Sequence, residues 1–582
     1  MTRQKKFISS LFIFFAIGLF SLTGNALAQE ISDKQPNNKF GIHLTTASDD
    51  DLENAADLVN SSGGDWGYVT LVIEEKDRDR NKWQGIFDKL RFHHLIPIVR
   101  LATSFQKNYW REPSTQDAAE WASFLNSLNW VIKNRYLVLF NEPNHGAEWG
   151  GEVNPEAYGQ VAISFAKKLK STNPDFFILL AGFDSAAPSQ PPKFEDQEKF
   201  LKKMLGIFPT PDSLFKYIDG WASHSYPNHG FIGLPGASGR NSVKNYVWEM
   251  ALLRKLGVKQ ELPVFITETG WPHQEGKETG NNYYPAIKVA ENFRVYFGVV
   301  IKDPKVTAIT PFVLNYQDEP FDHFSWQKLA RNDFYPQYDL MQKIVKEVGN
   351  PTQEQKLTLT GNLPVKIIQD SVYQIGIEIT NEGQAIWSRQ DGYRPVLKGL
   401  PDDYDYFFSD LSPIYPFQKK SLYLYLKTGE QIGRFDLNLS IAKAGQLVTN
   451  VIPWKLEVIN QAKITIAARA IFRPKTSAGN FRLLIYDNQE RVIFEANDVN
   501  VSRGKGEISG VKNLVIGQRY RLVILRPFYL PRQTYVTISE DNSQIVFKPM
   551  LPVDYNLDGK LSLADLVKII KHPGLLKVWW QD

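Results

Sequence analysis

Short apolar runs alternate with longer amphipathic stretches for about 310 residues after a polar leader at Gln29 to Asn38. The runs fall at Phe40 to Leu44, Trp66 to Ile73, Ile96 to Leu101, Tyr136 to Asn141, Phe177 to Ala181, Gly220 to His224, Pro263 to Thr267 and Val306 to Leu314. Unbroken runs of this length suit parallel strands covered on both faces. Between them, Ser114 to Leu128, Pro155 to Leu169, Tyr246 to Leu256 and Tyr284 to Ile301 carry helical periodicity, and a further helix is expected over Pro336 to Val348, with its proline at the first position. Eight strand and helix units in this span predict a (β/α)8 barrel over residues 29–350. A doubly wound open sheet is the alternative, but no glycine-rich fingerprint follows the first strand.

Beyond Asn350 the period drops to two. Ser371 to Ile379 and Ser421 to Leu426 read as half-buried strands, as do Phe481 to Tyr486 and Tyr520 to Leu525. Two β-sandwiches are expected, the first Ig-like at 351–460 and the second at 461–550, followed by a short tail at 551–582. They are read as spacers ahead of carbohydrate binding.

The first residues add a destination. Arg3, Lys5 and Lys6 precede an apolar stretch from Phe7 to Leu22, and Ala26-Leu27-Ala28 offers a small-x-small cleavage site, so residues 1–28 read as a secretory signal. The expectation is an extracellular or cell-surface protein with no membrane segment after cleavage. With no cysteine in the chain, disulfides and thiolate chemistry are excluded. A net charge of +4 over 582 residues, with no basic run beyond the N-terminus, argues against a nucleic-acid partner.

The chemistry sits at two strand ends. Tyr136 to Phe140 runs into Asn141-Glu142-Pro143, and Pro263 to Thr267 runs into Glu268-Thr269-Gly270, so each run delivers an acid to the barrel mouth. Two acids in one cleft suffice to cleave a glycosidic bond, one protonating the leaving oxygen and the other attacking the anomeric carbon or activating water. Carboxylates that close repel, so one keeps its proton and serves as the acid. A helix cap or a surface ion pair would account for either glutamate alone, but less readily for both at matching positions.

This arrangement resembles the large clan A of retaining glycoside hydrolases, over residues 38–350 or so. The resemblance implies Glu142 as acid/base, Glu268 as nucleophile and Asn141 as the contact to a sugar hydroxyl. It implies accessory roles for His224 and Tyr226 at the end of the sixth strand; Arg100, after the third, is a candidate donor to the nucleophile. No tryptophan occurs in the eighth strand, where the clan commonly places a sugar platform, so Trp271 and Trp326, with Trp149, are the candidate subsite walls. No organic cofactor is called for. A poly- or oligosaccharide substrate with β-glycosidic bonds is expected; a non-catalytic carbohydrate-binding or adhesion protein, and an inverting or transglycosylating enzyme, are the alternatives.

Near the C-terminus, Asp554, Asn556, Asp558, Lys560 (through its carbonyl), Ser562 and Asp565 occupy the ligand positions of a 12-residue calcium loop, with Gly559 at the sharp turn. The acid Asp565 at the last position and the helix from Leu563 to Lys571 resemble one half of a dockerin module. That implies structural Ca2+ and a cohesin-like or surface partner, although only one loop is present.

Overall fold

The computed structural model describes residues 38–472, 478–540 and 544–579; the secretory signal expected at residues 1–28 lies outside them. Eight parallel strands form one sheet in sequential order: β1 (Gly41–His43), β2 (Gly67–Glu74), β3 (Leu95–Ala102), β4 (Arg135–Leu139), β5 (Phe176–Leu180), β6 (Gly220–His224), β7 (Val264–Glu268) and β8 (Val306–Ile309). A parallel bridge between Phe40 and Ile309 joins the last strand to the first, and His43 N–H donates to the Pro311 carbonyl (2.9 Å), so the sheet closes into a barrel. Strand β8 stops short of the expected Leu314 because Pro311 has no N–H to extend the ladder.

Helices α1 (Asp49–Val59), α2 (Arg80–Phe92), α3 (Asp117–Asn126), α4 (Pro155–Thr172), α5 (Gln197–Gly206), α6 (Asn245–Lys255), α7 (Ala286–Val300) and α8 (Pro336–Lys343) follow the strands. Local chemistry starts several of them: Ser48 caps α1, and Asn154 caps α4 ahead of Pro155. Inside the barrel the rings of Tyr68, Tyr136, Phe177 and Phe265 pack with centroids 5.0–6.1 Å apart, so the interior is a filled core and not a pore.

A four-stranded and a five-stranded sheet between Leu357 and Ile459 share a second core built on Trp387, Leu424, Leu439 and Leu456. The third β region departs from the expected pair of facing sheets. It is one continuous sheet of seven strands, whose inner side chains, Ile466, Phe481, Ile485, Leu522 and Ile524 among them, gather into a single core. Pairing of Ala462–Ala467 with both Lys505–Val511 and Gln544–Val546 carries the ladder across what would otherwise be a break between sheets.

The first β region docks on the end of the barrel opposite the strand C-termini. Gln384 donates to the Ile132 carbonyl (3.0 Å), Gln353 to that of Val131 (2.9 Å), and Asn129 to that of Gly383 (3.0 Å), all in the loop before β4. The last helix, α9 (Leu563–Lys571), begins in a capping box between Ser562 and Asp565. Among the described residues no helix is long and apolar enough to cross a membrane.

The barrel seam is intolerant of added volume. A Cβ on Gly41 would lie 2.6 Å from Thr310 Cγ2 and 2.8 Å from the Tyr68 carbonyl oxygen. Gly41→Ala is expected to destabilise the barrel by about 1–3 kcal/mol, read as a lowered urea midpoint of the tryptophan fluorescence transition.

Candidate active site

The strand C-termini open into a cavity of about 350 Å³. Glu142 and Glu268 both line it, with Asn141, Arg100 and Tyr226. One carboxylate oxygen of each glutamate and His224 Nδ1 all lie within 4.8 Å of one another. Glu142 sits three residues past β4, on a backbone that takes positive φ at both Phe140 (71°) and Glu142 (27°). Side chains rarely adopt that conformation, and here the Phe140 ring, wedged against Trp149 and Phe165, holds the turn in place.

Strand β6 organises the rest. Its pleat sends Trp221 and Ser223 outward, where both donate to the buried Glu249 of α6 (3.1 and 2.5 Å), while His224 and Tyr226 serve the cavity. Burial raises the Glu249 carboxyl above its usual range, against the hydrogen bonds that oppose this. His224, 2% exposed, lies beneath the cavity floor and bonds Glu142 Oε1 through Nδ1 (2.7 Å). Burial alone would lower its pKa, but the charge of Glu268 and the bond and charge of Glu142 raise it to about 8. Tyr226 donates to Glu268 Oε2 at 3.0 Å; burial, then the Glu268 charge, push the phenol well above its ordinary range, so it stays a donor. On the other side of Glu268, His43 Nε2 is 3.9 Å from Oε1 and is held neutral, its pKa lowered to about 3 mainly by burial.

Arg100 lines the cavity, yet among the described residues no ion pair joins it to Glu268, and its Nε is buried without a hydrogen-bond partner. Asn141 likewise presents a buried Oδ1 with none. The three tryptophans named from sequence are elsewhere: Trp271 (2% exposed) and Trp326 (1%) pack edge-on against Phe293 in the barrel core, and Trp149 is fully buried. None of the three walls the cavity. Their rings face packed side chains, and the Trp271 indole N–H is spent on the Gly233 carbonyl (2.9 Å), which position along the chain does not disclose. The rings that line it include Trp110, on a small hairpin after β3, with Phe231, Phe312, Phe321 and Phe324 beside Phe140 and Tyr226. Phe312 occupies the eighth-strand region where a tryptophan was sought.

Sequence reading also missed an acid and histidine pair. His145 Nε2 bonds Asp184 Oδ2 (2.9 Å), and its Nδ1 lies 3.9 Å from Glu142 Oε2. Burial works against the charged imidazole, but Asp184 and Glu142 outweigh it and raise its pKa. Asp184 follows β5 as Glu142 follows β4, so the strand-end signal was present in the sequence. A third glutamate, Glu148, lines the same cavity, its carboxyl raised by burial against the opposing charge of Arg100.

The cluster is suited to proton handling. His224 Nδ1 and Glu142 Oε1 stand at hydrogen-bond distance. The Glu142 carboxylate bonds a buried imidazole and the Glu268 carboxylate accepts from a buried phenol, so an exchangeable proton stands beside each.

At the C-terminal loop the oxygen donors converge. Asp554 Oδ2 accepts the Gly559 N–H (3.0 Å), Gly559 takes φ 78°, and the Asn556 amide donates to Asp558 (2.7 Å). Asp554 Oδ1 is buried with no hydrogen-bond partner, the state of a carboxylate oxygen left for a cation. Asp565 differs from the expectation of a simple ligand, because its oxygens accept the N–H groups of Tyr555, Asn556 and Ser562 and so clasp the loop to α9. An all-oxygen set fits a hard divalent cation.

No protein-family model matches the sequence, and no curated protein matches it either. Among solved structures, similarity is found to a family 51 α-L-arabinofuranosidase from Bifidobacterium longum (8% identity, 70% of this chain and 96% of that one, TM-score 0.35). It extends to a GH113 β-mannanase from Alicyclobacillus acidocaldarius (10%, 52% and 95%, 0.32) and to a calcium-binding mutant of Bacteroides uniformis β-glucuronidase 2 (8%, 87% and 64%, 0.35). Likenesses this distant bear on neither activity nor substrate.

Two measurements probe the site. A Cβ on Gly182 would fall 2.1 Å from His224 Cδ2, so Gly182→Ala is expected to displace the imidazole from Glu142, seen as a shifted His224 resonance in NMR. Because the folded pKa of His224 lies above its ordinary 6.5, its contribution is complete below about pH 6.5 and fades as pH rises through about 8. The stability gap between wild type and His224→Asn is therefore expected to shrink by about 2 kcal/mol over that window in urea titrations.

Proposed function

We propose that the protein is a secreted retaining glycoside hydrolase that cleaves β-glycosidic bonds in poly- or oligosaccharides. The observation that carries this is the approach of Glu142 and Glu268, with carboxylate oxygens within 4.8 Å in a cavity walled by aromatic rings. Retention needs carboxyls about 5–5.5 Å apart, whereas inversion needs roughly 6.5–9.5 Å to seat a water between them.

In the first step Glu268 attacks the anomeric carbon as the glycosidic C–O bond breaks, and the proton held on the Glu142–His224 pair passes from Glu142 to the departing oxygen. Tyr226 fixes the attacking carboxylate through its 3.0 Å bond. In the second step Glu142, now ionised, takes a proton from water as that water displaces Glu268 from the sugar. Asn141, Arg100 and Glu148 are placed to hold the sugar's hydroxyls, and Trp110 and Phe312 to cover its C–H faces.

The acidic loop at the C-terminus would be held by Ca2+ on Asp554, Asn556, Asp558, the Lys560 carbonyl and Ser562, with Asp565 closing the loop. Bound cation supplies charge neutralisation among three carboxylates, a structural and not a catalytic service. Export rests on the sequence of residues 1–28, and a cohesin-like or surface partner for the tail rests on its dockerin resemblance.

Incubation of wild type, Glu268→Gln and Glu142→Gln with soluble β-glycans tests the catalytic reading. Glu268→Gln is expected to lose roughly 10⁴-fold or more in kcat, and Glu142→Gln about 10²–10⁴-fold, with smaller losses for aryl glycosides whose leaving groups need no proton. Proton NMR of the first product is expected to show the substrate's own anomer. Release of the other anomer, or equal turnover by Glu268→Gln, would overturn the mechanism. For the tail, Ca2+ is expected to slow amide exchange across Leu563–Lys571, and Asp554→Ala with Asp558→Ala to abolish that protection.

A further inference from the structure

A second concavity lies away from the strand C-termini. A cleft of about 900 Å³ lies at the opposite end of the barrel, between the loops that precede β2 and β3 and the first β region. Its barrel wall holds Asp65, Trp66, Phe92 and His94; its other wall holds Asp391 and Tyr415.

Two features distinguish it from a packing gap. Large rings stand unshielded on both walls, with Phe92 61% exposed and Tyr415 41%. Covering apolar surface favours folding, so exposed rings facing one cleft mark a place where a ligand can cover them. The barrel wall is also built to hold an unusual geometry. Trp66 and His94 both take positive φ (59° and 53°), and their rings stack with centroids 4.3 Å apart and planes 5° from parallel. Two side-chain-bearing residues in this conformation cost of order 1–3 kcal/mol each. The Asp65 carboxylate sustains the arrangement: one oxygen accepts the Trp66 N–H (2.9 Å) and also bonds His94 Nδ1 (2.8 Å). With Nδ1 committed and the His94 side chain 38% exposed, Nε2 is the ring nitrogen left for a ligand.

Charge selects the class of ligand. Asp65 and Asp391 face Arg91 and Lys443, so neither sign dominates, and Arg91 is already engaged by Asp88 and Asn129. Flat rings at both walls, with carboxylate and imidazole groups between them, match the alternating C–H faces and hydroxyl edges of a pyranose chain.

We propose that this cleft is a second, non-catalytic binding site for a neutral oligosaccharide, gripped between Phe92 of the barrel and Tyr415 of the first β region and hydrogen-bonded by the Asp65–His94 pair. The ligand's class rests on the glycosidase reading; the cleft does not. A chain held here lies across the molecule from Glu142 and Glu268, so the site would tether the protein to an insoluble or branched polymer without occupying the cavity where bonds are cut.

The test is affinity electrophoresis and calorimetry of the full chain in gels or solutions of β-glucan, xylan, galactomannan and arabinan. Four proteins are compared: wild type, Glu268→Gln, Phe92→Ala/Tyr415→Ala, and the triple variant. Both rings are exposed, so their truncation leaves the cores intact, and matching circular dichroism checks this. The expected result is that Glu268→Gln binds one glycan at two sites and that the triple variant binds it at one, with at least a tenfold loss of retardation in gels. Hydrolysis of soluble oligosaccharides by Phe92→Ala/Tyr415→Ala is expected to stay within twofold of wild type. Unchanged stoichiometry and retardation in the triple variant, or no retardation of any protein, would overturn the proposal. Ring-dependent binding without hydrolysis by wild type would sink the catalytic reading and leave this one standing, whereas hydrolysis with ring-independent binding would do the reverse.

Discussion

Closure of the eight-stranded sheet is the constraint on which everything else hangs. Glu142 and Glu268 are carried by strands that do not touch, and only a ring brings the ends of β4 and β7 to face each other over one opening. The seam that completes the ring is modest: one bridge between Phe40 and Ile309 and a few backbone bonds from His43 and Leu314. It is reinforced where glycine permits it, since Gly41 lets β1 lie against Thr310, and Thr310 in turn bonds Thr70 across the barrel interior (2.8 Å). A parallel sheet left open would expose two edges of unpaired backbone groups; the closed one exposes none and gains a mouth.

Within that mouth the electrostatics follow from burial more than from any single pair. His43 and His224 are both almost fully enclosed, yet one is kept neutral and the other charged. The difference is the second carboxylate. His43 meets Glu268 alone, at 3.9 Å, whereas His224 bonds Glu142 and lies 3.8 Å from Glu268 as well. Two negative neighbours overcome the cost of desolvating an imidazolium and one does not. Strand β6 delivers His224 to that spot because its outer face is pinned to Glu249, so a buried acid on a helix governs the position of a base on the far side of the strand.

Much of this was legible in the chain. The eight runs lie within a few residues of the strands, and Glu142, Glu268, Asn141, His224, Tyr226 and Arg100 converge on one cavity or its floor. What the pattern could not convey was facing. Trp271 follows a strand end and Trp326 sits in the loop after the eighth strand, where a platform could stand, but each points back into the core, and nothing in a one-dimensional pattern separates a ring that meets sugar from one that meets Phe293. Phe312 and Trp110 were passed over for the converse reason, since one lies past the end of β8 and the other on a two-residue strand of a small hairpin, where the path is set by contacts distant in sequence. Asp184 was readable and was not read. In the third β region alternation identified strands correctly, yet alternation is blind to whether neighbouring strands continue one ladder or begin another.

The seam also imposes an order of events on the nascent chain. Strand β1 is among the first segments to be made and β8 among the last of the barrel, so β1 must wait, unpaired on one side, through the synthesis of nearly all the rest. Contacts that span such a stretch are slow to form and leave sticky edges in the interval. Both glutamates are then present on the polymer well before there is any hollow for them to share.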